Sequence, residues 1–337
     1  MSLTEPILRG ERRAIARQIS GIENERPEAR QVLAELYPHT GRAYLVGLTG
    51  APGTGKSTLV NELAKAYRRE NKTVAIISVD PTSPFSGGAI LGDRIRMADL
   101  AGDPGVFVRS MATRGSLGGL ARATADAAKV FDAAGFEIIL IETVGVGQAE
   151  VEIAGLAHSV VVVEAPGLGD EVQAIKAGIL EIADVFVVNK ADREGASRTV
   201  AALTMMLDLT DPSLPKTVLH HGQLMAVAAT VSNPTRVELA AWRPPICKTV
   251  ATQGQGIAEV IAALAEHRTY QLNQGMLVQR ERERLIFEIQ QMLKERLLAD
   301  LLDKTSPERV NQILTQVLER QLDPFAAVEI LAKVDVM

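Results

Sequence analysis

The amino-acid sequence predicts an α/β fold with a mostly parallel central sheet, an N-terminal helical extension and a C-terminal helical arm. Three observations lead to this prediction. Short, continuously apolar runs that are typical of buried strands alternate with helical periodicity from Tyr44 onward. A glycine-rich loop separates the first of these strands from the helix that follows it. Beyond about residue 268 the strand pattern ends, and only the helical spacing of apolar residues continues.

The composition is that of a chain with a substantial core and no disulfide framework. The chain has 337 residues, 47% of them hydrophobic, and a formal net charge of −5, which does not indicate nucleic acid as a partner. The one cysteine, Cys247, fits a reducing compartment. No apolar run is typical of a secretory signal or reaches the ~20 residues of a membrane span. We therefore expect a cytoplasmic protein without a membrane partner.

The predicted elements divide the chain into three parts. Residues 1–40 form a polar helical extension with a turn at Pro27, and residues 41–268 form the sheet domain. Residues 269–337 are helical, and Ser306 followed by proline is predicted to begin one of their helices. This last region either covers its own sheet or forms an arm that packs against a second subunit, and we favour the arm. The predicted strands are Tyr44–Leu48, Thr73–Val79, Val106–Val108, Glu137–Ile141, Ser159–Val163, Val185–Val188 and Gln223–Ala228.

The loop after the first strand carries the G-x-x-x-x-G-K-S pattern that binds phosphate groups. Its glycines let successive backbone N–H groups face a polyphosphate, and the helix N-terminus adds positive potential. Lys56 is predicted to reach the β- and γ-phosphate oxygens, and Ser57 to ligate Mg²⁺. The nucleotide-binding residues predicted here are Gly50, Ala51, Pro52, Gly53, Thr54, Gly55, Lys56, Ser57 and Thr58.

A second motif, N-K-x-D, directly follows the apolar strand predicted at Val185–Val188 and indicates that the base is guanine. The carboxylate of Asp192 can accept two hydrogen bonds, from the guanine N1–H and the exocyclic amine, and adenine offers no such pair of donors. Asn189 can bond the base and nearby loops, while the stem of Lys190 can lie along the ring. With the phosphate loop, this motif predicts a P-loop GTPase that converts GTP to GDP and phosphate.

A looser third element is expected after the last strand, where Val250, Ala251 and Thr252 precede two glycines. The backbone N–H of Ala251 could bond guanine O6 from this loop. The alternative is a plain connecting loop.

Three acids are predicted to lie on the γ-phosphate side of the nucleotide. Glu142 ends an apolar strand and is followed by x-x-Gly, the position at which GTPases place D-x-x-G, so Gly145 is the predicted γ-phosphate sensor. Asp80 ends the second strand and is expected beside the phosphate loop, where it could orient water or join the Mg²⁺ shell. Asp93 follows a long Pro/Gly/Ser-rich loop and is a further metal-shell candidate. Asp80 and Asp93 could instead be turn or capping carboxylates.

Three other features carry less chemistry. The pair His220–His221 is interpreted as part of a loop, because no cluster with metal-ligand spacing accompanies it. Cys247 is interpreted as a buried thiol. Trp242, which stands before two prolines, is interpreted as a packing residue.

Taken together, these segments resemble the MeaB/ArgK family of GTPases associated with methylmalonyl-CoA mutase. The most specific ones are the run D-P-T-S-P-F-S-G-G-A-I-L-G-D-R-I-R-M from residue 80 and E-T-V-G-V-G-Q from residue 142. The resemblance implies GTP/GDP and Mg²⁺ as cofactors. It assigns metal-shell or switch roles to Asp80, Asp93 and Glu142. A further switch loop is implied at Gly167, Gly169 and Asp170, extending to Lys176.

The resemblance also implies a role and partners. Such proteins are chaperones of adenosylcobalamin-dependent acyl-CoA mutases, in which GTP hydrolysis gates cofactor loading and protects or reactivates the mutase. They are similar in forming homodimers through C-terminal helices. Two other classes remain as alternatives, a metal-insertion GTPase and a small-molecule kinase of the arginine-transport type.

Overall fold

A computed structural model describes residues 2–81, 98–100, 102–113, 119–143, 155–167, 182–210, 217–220, 223–226 and 242–332. The chain divides into two compact units, Met1–Gly275 and Met276–Met337. The first unit contains the strands, and the described part of the second is helical. Of the helices in these ranges, none combines the length and apolar character needed to cross a membrane.

Parallel strands form the centre of the first unit. The described strands are β1 (Tyr44–Thr49), β2 (Val74–Pro81), β3 (Val106–Thr113), β4 (Ile138–Thr143), β5 (Ser159–Glu164), β6 (Val185–Asn189), β7 (Thr217–His220), β8 (Gln223–Ala226) and β9 (Ile246–Thr249). Seven of them form one sheet in the order β3-β2-β4-β1-β5-β6-β9, and each pairing between neighbours is parallel. This confirms the predicted α/β class and six of the predicted strands.

The seventh strand of the sheet differs from the predicted one. β9 pairs with β6, whereas the segment predicted as Gln223–Ala228 contributes β8, which pairs antiparallel with β7 in a separate sheet. Residues 227 and 228 lie outside the described residues. The prediction missed β9 because this edge strand has only four residues, one of which is the exposed Lys248.

Helices cover both faces of the sheet, which explains why its inner strands are continuously apolar. One layer contains α4 (Lys56–Arg69) and α7 (Ile257–Asn273), and the other contains α5 (Gly119–Ala133). A third cluster joins α6 (Ala196–Thr210) to β5 and β6. The remaining α-helices described in this unit are α1 (Thr4–Leu8), α2 (Arg12–Glu23) and α3 (Pro27–Leu36).

The N-terminal helices belong to the core of the first unit rather than standing apart from it. Ile7, Ile15, Ile19 and Leu36 are fully buried and join the cluster that α5 forms over the sheet. Asp132 on α5 fixes the connection to β1, since its carboxylate accepts hydrogen bonds from the backbone N–H groups of residues 41–43. The predicted extension is therefore helical, and it covers α5 and the sheet.

The second unit contains α8 (Met276–Lys304), α9 (Pro307–Leu318) and α10 (Pro324–Ala332). As predicted, Ser306 caps α9, with its hydroxyl accepting the backbone N–H of Arg309 at 3.3 Å. The boundary predicted at residues 268/269 falls inside α7, which packs on the sheet. Large apolar side chains are exposed on all three helices: Val278, Ile286, Ile289, Met292, Leu293, Leu297, Leu298, Leu302, Leu314, Leu318, Phe325 and Val328.

Candidate functional site

The phosphate loop connects β1 to α4 at the centre of the sheet. Gly50 and Gly55 both have positive φ values, +136° and +95°. A Cβ atom would lie 2.1 Å from the carbonyl oxygen of Val163 at the first position and 2.4 Å from Nδ2 of Asn189 at the second. Only glycine fits such close approaches, so the loop lies tightly against β5 on one side and the end of β6 on the other.

Lys56 begins α4, and its side chain folds back over the loop. The residue is buried, and Nζ donates hydrogen bonds to the carbonyl oxygens of Gly50 at 2.8 Å and Ala51 at 3.0 Å. The hydroxyl of Thr54 also donates to Ala51, at 3.0 Å. These bonds hold the ammonium group at the mouth of the loop, where phosphate oxygens are the natural additional acceptors.

Ser57 and Glu142 meet beside the loop. β4 is the direct neighbour of β1, and the hydroxyl of Ser57 donates to Oε1 of Glu142 at 2.6 Å. Both residues are buried. A hydroxyl and a carboxylate oxygen are hard donors of the kind that Mg²⁺ prefers, so this pair fits the predicted metal shell. The predicted proximity of Ser57 and Glu142 is therefore found.

Asp80 is positioned differently from the expectation. It lies near the carboxyl end of β2, in register with Ala112, but β4 separates β2 from β1. Asp80 is therefore two strands away from the strand that leads into the phosphate loop, and Glu142 occupies the neighbouring position. The assumed neighbourhood of the second strand and β1 is therefore not found, because consecutive strands along the chain are not neighbours here, while the role of Asp80 at the metal shell stays a prediction. The side chain of Asp80, and all of Asp93 and Gly145, lie outside the described residues.

Asn189 joins three parts of the predicted nucleotide site. It ends β6 and is 3% exposed. Its Nδ2 donates to the carbonyl oxygen of Thr54 in the phosphate loop at 2.8 Å. Its Oδ1 accepts from the hydroxyl of Thr249 at 3.0 Å and from the backbone N–H of Ala251 at 3.1 Å. One side chain thus ties the phosphate loop to the predicted third guanine element.

The other two polar residues of the N-K-x-D motif differ in their surroundings. Lys190 has a φ of +56°, and its Nζ donates to the carbonyl oxygen of Gly53 at 2.6 Å, so its stem crosses the phosphate loop. Asp192 is exposed. A carboxylate that binds a guanine base has to be accessible before the base is bound. The motif therefore provides one structural residue, Asn189, and one accessible acid.

The loop after β9 turns back on itself through a bridge between Val250 and Gln255. Because the N–H of Ala251 donates to Asn189, the predicted bond to guanine O6 would have to share or replace that contact. Thr252 is exposed, and Thr58 is half-buried in the first turn of α4. Thr249 begins the predicted third guanine element, but its bond to Asn189 was not predicted, because the pairing of β9 with β6 became apparent only with the strand order.

The remaining candidates fall outside this site or outside the described residues. Trp242 packs as predicted, since its indole N–H donates to the carbonyl oxygen of Asp184 at 2.8 Å and its ring lies against His267. Cys247 is buried, and burial raises the pKa of its thiol to about 11. His220 lies in β7. Gly167 is exposed. The described ranges do not include His221, Gly169, Asp170 or Lys176.

Comparison with known proteins supports the same assignment as this geometry. The family model described as "Methylmalonyl Co-A mutase-associated GTPase MeaB" matches residues 15–306. A putative GTPase of Pyrococcus abyssi is 45% identical over 331 residues, covering 98% of this chain and 95% of the relative. The GTPase ArgK of Escherichia coli is 31% identical, with 96% of this chain and 93% of the relative covered.

Two further relatives extend the comparison. The mouse protein named "Methylmalonic aciduria type A homolog, mitochondrial" is 30% identical, covering 97% of this chain and 77% of the relative. The crystal structure of a LAO/AO transport system kinase has the same fold, with a TM-score of 0.69, 24% identity, and coverage of 98% of this chain and 95% of that one. The chain is a P-loop GTPase that belongs to the MeaB family of methylmalonyl-CoA mutase-associated GTPases.

Proposed function

We propose that this GTPase acts with Mg²⁺ as a chaperone of an adenosylcobalamin-dependent acyl-CoA mutase, gating cofactor loading and protecting or reactivating the mutase. The observation that carries the nucleotide part is the bonding of Asn189 to Thr54 and Ala251. It holds the phosphate loop and the guanine-side loop as one preorganised site. The mutase part is supported by the family to which the chain belongs.

The chain's own residues divide the work of binding and hydrolysis. Lys56 supplies positive charge at the β- and γ-phosphates, and Ser57 with Glu142 would hold Mg²⁺. When bound, the metal neutralises charge that develops on the phosphate oxygens. Asp80 and Asp93 are assigned to the metal shell or to water positioning, and Gly145 to sensing the γ-phosphate.

Guanine specificity is assigned to Asp192. Asp192→Asn should weaken GTP binding by several kcal/mol, on the order of 3–6 for two charge-assisted hydrogen bonds. The same variant should bind xanthosine triphosphate better, because the C2 oxygen of that base accepts a hydrogen bond from the NH₂ group of the new amide. Asp208→Asn, an exposed acid paired with Arg243, is the control and should bind GTP as the wild type does. Equal affinity of the wild type for ATP and GTP would contradict the assignment.

Coupling to the mutase is assigned to the loop of Gly167, Gly169 and Asp170 and to Lys176. Lys176→Ala should leave nucleotide affinity within a few-fold but weaken the change in GTP turnover that a cobalamin-dependent mutase causes. Lys72→Ala, which breaks a surface ion pair with Glu137, is the control. Co-purification with the mutase, with and without a non-hydrolysable GTP analogue, tests the partner itself. A metal-insertion GTPase or a kinase would show no such association.

The exposed apolar residues of α8 support a second copy of this chain as a further partner. Within the proposed division into residues 1–40, 41–268 and 269–337, the last part is assigned to homodimerisation in the cytoplasm. Leu293→Glu combined with Leu297→Glu should convert a dimer to a monomer in light scattering, because both side chains are more than half exposed in one chain. Lys294→Glu, on the same helix, controls for the added negative charge. A monomeric wild type would refute dimerisation.

A further inference from the structure

A buried polar row crosses the sheet next to the predicted metal shell. Ser78 on β2 is in register with Glu142 on β4 and with Ser110 on β3. Ser78 is 1% exposed, and its Oγ has no hydrogen-bond partner among the described residues; the same holds for Oγ of the part-buried Ser110. Buried hydroxyl groups without partners are uncommon and costly, so this row calls for a physical reason.

The row faces α4, the helix that carries Ser57. Along β2, Val74 and Ile76 join the apolar cluster under α4, whereas Ala75 and Ile77 join the cluster on the opposite face. Because side chains alternate along a strand, Ser78 continues the α4-facing series at the end nearest the phosphate loop. Glu142 lies on the same face, as its bond to Ser57 requires.

A third buried polar atom lies on the helix above this row. Asn61 stands one turn after Ser57 on α4, on the same helix face, and it is 6% exposed. Its Oδ1 has no partner among the residues that the structure describes, while its Nδ2 lies 3.3 Å from Asp99. With Ser110 and Glu142 in register on either side, the surroundings of Ser78 are polar enough to hold a buried water molecule.

The orientation of the Glu142 carboxylate matters for metal binding. A glutamate carboxylate has one more rotatable bond than an aspartate, so each group that contacts it reduces the number of orientations that it can adopt. Neighbouring strands are about 4.8 Å apart, which brings a serine hydroxyl within reach of a glutamate in register through one bridging water. Mutation of a residue that hydrogen-bonds a metal-binding carboxylate, without contacting the metal itself, typically lowers metal affinity by about 10–100-fold.

We propose that Ser78 is a positioning residue of the magnesium site. Its hydroxyl donates to one buried water that in turn donates to the Glu142 carboxylate, and this link orients that carboxylate toward the metal held with Ser57. The inference rests on the proposed Mg²⁺-dependent nucleotide binding and adds a residue to which the sequence analysis assigned no role. It also gives β2, the strand that leads to Asp80, a physical connection to the metal shell on β4.

The test measures how free Mg²⁺ slows the dissociation of a fluorescent GDP analogue from the full-length chain. Ser78→Ala should require about tenfold more Mg²⁺ for half-maximal retention, while its dissociation rate in EDTA stays at the wild-type value. Ser78→Thr keeps the hydroxyl and should restore the Mg²⁺ requirement to within about threefold. Thr124→Ala is the matched control, since Thr124 on α5 is also buried with an unpartnered hydroxyl but joins the opposite layer.

The outcomes separate this inference from the proposed function. A wild type whose GDP retention ignores Mg²⁺ would overturn both. A Mg²⁺-dependent wild type with an unchanged Ser78→Ala variant would overturn the role of Ser78 alone. A Ser78→Ala variant that releases GDP faster than the wild type by the same factor with Mg²⁺ and in EDTA, with an unchanged Mg²⁺ requirement, would also overturn it, because the residue would then serve the fold and not the metal.

Discussion

The most informative perturbation of this structure is Asn189→Ala. The side chain is buried and makes three hydrogen bonds, to Thr54, Thr249 and Ala251, at 2.8, 3.0 and 3.1 Å. Alanine removes all three and leaves a carbonyl oxygen, a hydroxyl and a backbone N–H to find other partners. The side chain therefore joins the phosphate loop to the loop that follows β9.

The expected magnitude follows from these bonds. A typical net contribution of about 1 kcal/mol for each gives a total of about 3 kcal/mol. Part of this total appears as stability, and we expect the free energy of unfolding without nucleotide to fall by about 1–1.5 kcal/mol. The remainder, about 1.5–2 kcal/mol, appears as binding, because the two loops must then be ordered by the ligand. A loss of 1.4 kcal/mol is a factor of ten, so GDP and GTP affinity should each fall about 10–30-fold.

Two further variants show which bond matters. Asn189→Asp keeps the acceptor for Thr249 and Ala251 but sets a carboxylate oxygen against the carbonyl of Thr54, so it should be at least as damaging as alanine. Thr249→Val removes one bond and should cost about 1 kcal/mol. Denaturant unfolding and titration of a fluorescent GDP analogue measure both effects. An Asn189→Ala protein with unchanged unfolding and less than a threefold loss of GDP affinity would refute the reasoning.

Three more predictions concern the loop, the core connection and the thiol. Gly55→Ala should reduce GDP affinity more than tenfold, because the added Cβ would clash with Nδ2 of Asn189. Gly135→Ala is the control, since Gly135 has a similar φ of +90° but no atom near the added Cβ, and its GDP affinity should not fall. Nucleotide titration of the two variants separates the effect of the clash from that of backbone strain. Asp132→Ala should lower the free energy of unfolding by about 2–3 kcal/mol in urea without changing nucleotide affinity, since it frees three backbone N–H groups remote from the site; an unchanged urea midpoint would contradict this. Burial raises the pKa of Cys247 to about 11, above its ordinary value of 9.0, so the folded thiol stays neutral where the unfolded one ionises. The contribution of the neutral thiol to stability is therefore present below about pH 9 and is lost as pH rises toward 11. Iodoacetamide at pH 8 should modify Cys247 in the native protein at least tenfold more slowly than in the unfolded protein. Equal rates of modification would contradict this prediction.

The sequence predicted those parts of the fold that depend on local chemistry. The inner strands could be found because both of their faces are buried, which makes the apolar runs continuous. The phosphate loop could be found because its glycines and Lys56 follow from the geometry of binding phosphate. Ser306 could be identified as a helix cap because the hydroxyl satisfies a backbone donor locally. Each of these predictions needed only residues that are neighbours in sequence.

The predictions that failed depended on strand order. β9 could not be recognised because an edge strand buries little, and Lys248 interrupts its apolar pattern. The expectation that β2 lies directly beside β1 was wrong because β4, which comes later in the chain, inserts between them, and the role of Asp80 stays a prediction. The same order explains why the row of Ser78 and Glu142 was not apparent, since those two residues are 64 positions apart in sequence and in register only across the sheet.

The strand order also divides the nucleotide site into two halves on either side of β1. Asn189 and the loop after β9 lie on the β5-β6-β9 side, whereas Glu142 and Ser78 lie on the β4-β2-β3 side. GDP and GTP share the base and differ only at the γ-phosphate. Asn189→Ala should therefore weaken both nucleotides by the same factor, and Glu142→Ala should slow single-turnover GTP hydrolysis far more than it weakens GDP binding. If Asn189→Ala changed GTP and GDP binding as unequally as Glu142→Ala does, the two halves of the site would not act separately. A bound mutase would then have to respond to both halves of the site, and not to the γ-phosphate side alone.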